Sequence, residues 1–245
     1  MVADWFFIKL PCLTDFKENV NGTHTFAASC QEYFDLGNRV NGSFKIRPDS
    51  EYHAFDVDCE FNEIQGITIL KPDQWLQEGY TFPPTEDQRC SEANCLTHNF
   101  EYSASNDQIK VRFENYISIL KKSFQALTES STNCTQSIKH TCTVNSLTTF
   151  SSWIDRNGVR NNYWSGARNA SETGCQCSID DTCVKAPSQT VCNCDSMRAN
   201  LIDEGTLTDK NALPVKSLRY GGAYTKFSKI EYILGPLVCS GKARV

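Results

Sequence analysis

Five of the thirteen cysteines fall between Cys175 and Cys194, in the stretch CQCSIDDTCVKAPSQTVCNCD, and a sixth, Cys239, closes an apolar segment that reads FSKIEYILGPLVCSG. Packing alone does not call for cysteine at that density. Two chemistries compete for it, metal and disulfide. A zinc site wants pairs spaced C-x2-C with histidine partners. Here Cys175 and Cys177, and again Cys192 and Cys194, are separated by one residue, and His24, His53, His98 and His140 all lie far off in sequence. The spacing therefore favours disulfides.

Disulfides at this number point away from the reducing cytosol. Four sequons support the same compartment: Asn21-Gly-Thr, Asn41-Gly-Ser, Asn133-Cys-Thr and Asn169-Ala-Ser. Each is weak alone; together, in a cysteine-rich chain, they predict a secreted glycoprotein. The formal net charge of −5 argues against nucleic acid, which needs a basic face, and against electrostatic docking on acidic membrane. No run approaches the ~20 apolar residues of a membrane span. Trp5-Phe-Phe-Ile, followed by Lys9, is a poor signal-peptide core, so a leader is expected to be absent from this chain.

The 245 residues are enough to bury a core without help. Residues 1–29 read as an irregular arm. SCQEYFDLG looks helical, with Cys30, Tyr33, Phe34 and Leu36 near one face and Gly37 as the stop. Three short strands follow with close turns: Ser43–Pro48 after the Asn41-Gly42 turn, Phe55–Phe61 with Phe55, Val57, Cys59 and Phe61 on one face, and Gly66–Leu70. Residues 71–98 are polar and turn-rich and read as a surface insertion, where Cys90 and Cys95 suggest a local disulfide. Ile109, Val111 and Phe113 alternate as in a strand. Glu114–Thr128 is the clearest helix, with Tyr116, Ile117, Leu120, Phe124 and Leu127 on one stripe that is read as core. Strands are expected over Cys134–Val144, Thr148–Ile154, Leu213–Tyr220 and Phe227–Val238, with a polar loop at 155–170 that holds Tyr163 and Trp164.

The order of signals resembles a fibrinogen-related module. Cys30 opens a short helix, then come NGSFKIRPD and FDVDCEF; Ile46, Pro48 and Asp49 match that pattern, and Phe44 stands where it usually has tyrosine. The later half is more specific and is similar to the fibrinogen-like module of contactin-associated proteins, the neurexin-IV type. It comprises Cys134 and Cys142, Trp153-Ile154, Tyr163-Trp164-Ser-Gly166, Cys175-x-Cys177, Cys183, Cys192-Asn-Cys-Asp195, Leu213-Pro-Val215 and Gly235-Pro-Leu-x-Cys239. Fibrillar collagen C-propeptides share the distant outline. The match covers residues 30–70 and 134–242; residues 1–29 and 71–98 find no counterpart.

The resemblance implies an α+β fold, a fibrinogen C-terminal-like domain over residues 30–242 with an antiparallel sheet, few short helices and long disulfide-stapled loops. It implies a non-catalytic module for extracellular adhesion or assembly by protein contact. A fibrinogen-type lectin that binds glycans, with calcium, is the alternative. Together with spacing, it suggests Cys30–Cys59, Cys134–Cys239, and Cys142 with one of Cys175 and Cys177, among on the order of a hundred connectivities open to the last eight cysteines. Cys12 is left over and is the candidate for a bond to another chain, giving a homo-oligomer.

Other chemistry is thin. Asp180 and Asp181 are too sparse for a convincing calcium loop. The glycine and lysine of Gly235-Pro-Leu-Val-Cys-Ser-Gly-Lys242 are misspaced for a phosphate loop. No G-x-S-x-G, H-E-x-x-H or local Cys–His pair is present, so no enzyme and no cofactor is expected. Tyr163 and Trp164 are the candidate contact residues, on the expectation that aromatics in an exposed loop serve as anchors.

Overall fold

A computed structural model describes residues 17–18, 24–72, 80–82, 96–99, 114–167, 173–184, 190–220 and 228–241. Cys12, Asn21, Cys90, Cys95, Asn169 and the expected strand at 107–113 lie outside them, as does most of the 71–98 insertion.

In chain order, β1 (Lys17–Glu18) and β2 (His24–Thr25) pair as a ribbon, followed by helix α1 (Cys30–Asp35) and the meander β3 (Gly42–Ile46), β4 (Phe55–Phe61) and β5 (Gly66–Leu70). Strands β6 (Tyr80–Phe82) and β7 (Leu96–Asn99) precede α2 (Glu114–Ser130) and the long β8 (Asn133–Thr143). Then come α3 (Leu147–Phe150), β9 (Ser152–Ile154), β10 (Arg160–Tyr163), β11 (Thr173–Gly174) and α4 (Gln176–Ile179). A 3-10 turn at Cys194–Ser196 leads to β12 (Leu201–Leu207), β13 (Ser217–Tyr220) and β14 (Lys229–Ser240). This is an α+β architecture dominated by antiparallel sheet.

Alternation explains the larger sheet. Along β8, Cys134, Gln136, Ile138, His140 and Cys142 are buried and their neighbours are not, the period of a strand with one covered face. The strands lie in the order β12-β8-β14-β5-β4-β3, with β6 on the first half of β14. The last strand is therefore central, paired to β8 on one side and to β5 and β6 on the other. Pro236 would break such a strand, because it lacks an N–H. It is tolerated because the ladder shifts register between Leu234 and Leu237. Buried Gln136 fills the irregularity: its Nε2 donates to the Gly235 carbonyl at 3.0 Å, and its Oε1 accepts from Val215 N at 2.9 Å.

The smaller sheet runs β11-β10-β9-β13-β7, parallel between β10 and β11 and antiparallel elsewhere. Helix α1 starts at the Ser29 cap, whose hydroxyl accepts from Glu32 N, and buries Cys30 and Tyr33. Leu36 falls outside the core face, contrary to the helical reading: α1 ends at Asp35 and the chain has turned away from the sheet. On α2, Phe124 and Leu127 are buried, and the Phe124 ring meets Phe55 edge-on at 5.4 Å between centroids.

Two other expectations change. Thr148–Ile154 is not one strand, because Ser146 caps α3 by accepting from Thr149 N, and the strand begins only at Ser152. Leu213–Val215 is not strand either; the strand starts at Ser217, after the cis Leu213-Pro214 bond. β12 was missed altogether, since LIDEGTL carries too little apolar alternation to stand out.

Candidate recognition surface and the disulfide frame

Five disulfides join described residues. Cys30–Cys59 ties α1 to β4, and Cys134–Cys239 ties β8 to β14 directly across the ladder. Cys142 bonds to Cys194, not to Cys175 or Cys177 as expected. Those two instead close local loops with Cys192 and Cys183. The reason is topological. The 3-10 turn at Cys194–Ser196 sets the Cys194 sulfur beside the end of β8, while Cys175 at the N-terminus of α4 and Cys177 within it bond to the segment that returns after them.

Every residue of Cys192–Asp195 is a tie. Cys192 and Cys194 are bonded as above. Asn193 Oδ1 accepts from Val184 N at 2.8 Å and its Nδ2 donates to the Ile202 carbonyl at 3.0 Å. The Asp195 carboxylate accepts from Thr148 N at 3.1 Å and from the hydroxyls of Ser146 and Thr148, each at 2.8 Å, so it holds the start of α3.

Beneath this turn lies Asp203 of β12, which the sequence reading did not single out. Its carboxylate is buried and accepts from Asn193 N and Cys194 N, both at 2.8 Å. Burial raises its pKa above the ordinary carboxyl value, while the Cys194 and Asn193 N–H groups pull it back down and the Asp195 charge raises it further. Its oxygens come within 4.8 Å of the sulfurs of both Cys142–Cys194 and Cys175–Cys192. Among the described residues these two clusters have metal-like spacing, but sulfur in a disulfide has no thiolate to offer an ion. The only sequence signal was an acid at the inward position of a strand.

The candidate contact aromatics are corrected by the fold. Tyr163 and Trp164 are each 1% exposed, and Trp153 is fully buried. The segment is not an open loop: Trp153 Nε1 donates to the Tyr163 carbonyl at 2.7 Å, and Trp164 N donates to the Gly174 carbonyl at 2.7 Å. The Trp164 indole stands edge-on to buried His140, 4.5 Å between centroids, and His140 Nε2 lies 2.7 Å from the Tyr220 hydroxyl. Burial lowers the His140 pKa from 6.5 to about 3. Gly205 lets β12 pass this close, because a Cβ there would collide with the Trp164 carbonyl.

What the same segment does expose is its tip. Asp155 Oδ1 accepts from Asn157 N at 2.7 Å and Val159 N at 2.8 Å, Gly158 adopts φ +88°, and Asn157 Nδ2 donates to the Asn211 carbonyl at 3.0 Å. The fixed turn presents Val159 and Arg160 to solvent. Asp180 and Asp181, at the end of α4, are exposed, and Gln176 Nε2 donates to both oxygens of Asp180 at 2.9 and 3.0 Å. Of the sequon asparagines, Asn41 and Asn133 are exposed. Among the described residues, no helix is long and apolar enough to cross a membrane.

A disulfide-rich α+β body of this kind fits the oxidising space outside the cell. No protein-family model matches the chain. Among curated proteins it is similar to neurexin like receptor 1 of Caenorhabditis elegans, with 32% identity over 144 residues, 54% of this chain and 11% of the relative. The chain thus spans about a tenth of that receptor's length.

Proposed function

We propose that the chain is a secreted, fibrinogen-like recognition module that binds a protein partner outside the cell and performs no catalysis. The observation that carries this reading is the similarity to a neurexin-like receptor in a chain stapled by disulfides. The fibrinogen-like assignment rests on the order of cysteine, Trp153, CNCD and GPLVC elements along the chain. The contact residues we assign are Val159 and Arg160, because Asp155 holds their turn rigid and little ordering entropy is lost when a partner docks there.

An Fc fusion of the chain tests this on intact cells. Binding is expected to disappear after the cells are treated with trypsin and to survive both N-glycosidase treatment and a calcium chelator. Arg160→Glu is expected to weaken it about tenfold, on the order of 1.4 kcal/mol. Binding that resists trypsin but fails after deglycosylation or chelation would establish the lectin instead.

A further inference from the structure

We propose that Asn41 carries an N-linked glycan whose first N-acetylglucosamine packs over Val40 and Ile64. Among the described residues, Ile64 at 78% and Val40 at 68% are the most exposed large apolar side chains. Single exposed aliphatics are ordinary; these two flank one sequon. Val40 precedes Asn41 directly. Ile64 stands in the turn that follows Phe61, and Phe61 N donates to Asn41 Oδ1 at 2.8 Å. That turn is itself fixed, since Asn62 Oδ1 accepts from Ile64 N at 3.0 Å and Gln65 N at 2.9 Å.

The hydrogen bond uses the atom of Asn41 that glycosylation leaves alone. In the transfer, Nδ2 loses a proton and bonds to C1 of the sugar, the C1–O bond to a lipid-diphosphate-linked oligosaccharide breaks, and the lipid diphosphate leaves. The carbonyl oxygen keeps its lone pairs and its Phe61 partner. Asn41 is exposed, and Gly42 after it has no side chain to crowd the sugar. The amide is therefore held in one orientation between the two segments that carry Val40 and Ile64, the exposed aliphatics we assign to the apolar face of the first sugar. Asn133 is a poorer seat for an ordered sugar: it is the first residue of β8, paired with Ser240 at the end of the β8–β14 ladder and next to the Cys134–Cys239 bond.

The inference rests on the extracellular reading. Its test is expression in a secretory cell line restricted to high-mannose glycans, with site occupancy read by mass spectrometry. Asn41 is expected to be modified. Ser43→Ala abolishes the sequon but keeps the Asn41–Phe61 bond, and is expected to lower Tm by about 2–4 °C, the size of effect a chain of this length shows for one modest interaction. Trimming to a single N-acetylglucosamine with endoglycosidase H should leave Tm unchanged. In a V40Q/I64Q background, which creates no new sequon, Ser43→Ala should shift Tm no further. A secreted protein modified at Asn133 but bare at Asn41 overturns the proposal and spares the extracellular reading; a chain retained inside the cell with every sequon bare overturns both. Occupied Asn41 with no Tm difference in Ser43→Ala overturns the packing.

Discussion

The Asp203 carboxylate accepts the backbone N–H of Cys194 at 2.8 Å, so the turn that carries one disulfide is anchored by a buried charge from a strand nine residues on. With Asn193 N on its other oxygen, Asp203 meets two converging donors. An amide has one oxygen and would turn its NH2 toward the second donor. Asp203→Asn is expected to cost about 1–3 kcal/mol at neutral pH, read by urea unfolding. The pH dependence has a definite sign. The folded pKa lies above the usual 3.8, so the folded state binds this proton more tightly, and the group's contribution to stability declines as pH rises from 3.8 into the raised range. The variant should lack that slope.

His140 gives the opposite slope. Its folded pKa of about 3 lies below 6.5, so the unfolded chain takes up the proton first and stability falls as pH drops from 6.5 toward 3. The loss from this group is on the order of 4–5 kcal/mol over that window. Unfolding free energies of wild type and His140→Gln, compared across it, should diverge in that direction; parallel curves would mean the ring is not buried neutral.

The disulfides should rank by the chain they enclose. Replacing both Cys142 and Cys194 by serine opens a separation of 52 residues and is expected to cost about 4 kcal/mol. The same change at Cys177 and Cys183, six residues apart, should cost about 2 kcal/mol. Denaturant midpoints of the two double variants test the order, and the reverse order would contradict the pairing.

Trp164→Ala should act on stability, with a loss of about 3–5 kcal/mol, and leave the affinity of the folded fraction for its partner unchanged. Arg160→Glu should do the reverse, with stability within about 0.5 kcal/mol of wild type. Thermal melts beside binding curves separate the two residues.

Gly66 is where β5 meets α1, and a Cβ there would strike the Cys30 carbonyl. Cys30 cannot yield easily, being bonded to Cys59 and donating its N–H to Thr68 Oγ1 at 3.1 Å. Gly66→Ala is expected to cost about 1–3 kcal/mol, and a melt equal to wild type would refute that close approach.

Local pattern carried the sequence reading a long way. Local pattern placed strands at 43–48, 55–61, 66–70, 134–144 and 227–238, each within a few residues of an observed strand, because one face of each is covered and the period is two. The one-residue spacing in CQC and CNC decided between disulfide and zinc, since ligand geometry is set within a few residues. Burial was not legible in the same way. Tyr163 and Trp164 sit in a polar, Asn- and Gly-rich stretch that reads as loop; the approach of β12 at Gly205 and of His140 from β8 covers Trp164, and the Trp153 ring meets Tyr163 edge-on. Asp203 likewise looks like a surface acid until Asn193 and Cys194 fold over it.

The sequence by itself determined that the cysteines are disulfide-type, the α+β class and which stretches alternate, all of which depend on composition and on neighbours a few residues apart. Only the tertiary structure decided that Cys142 meets Cys194, that the aromatics are core, and that the exposed tip is Val159–Arg160. Those outcomes depend on which strands lie side by side, and β14 at the end of the chain lies between β8 and β5, which are far from it in sequence.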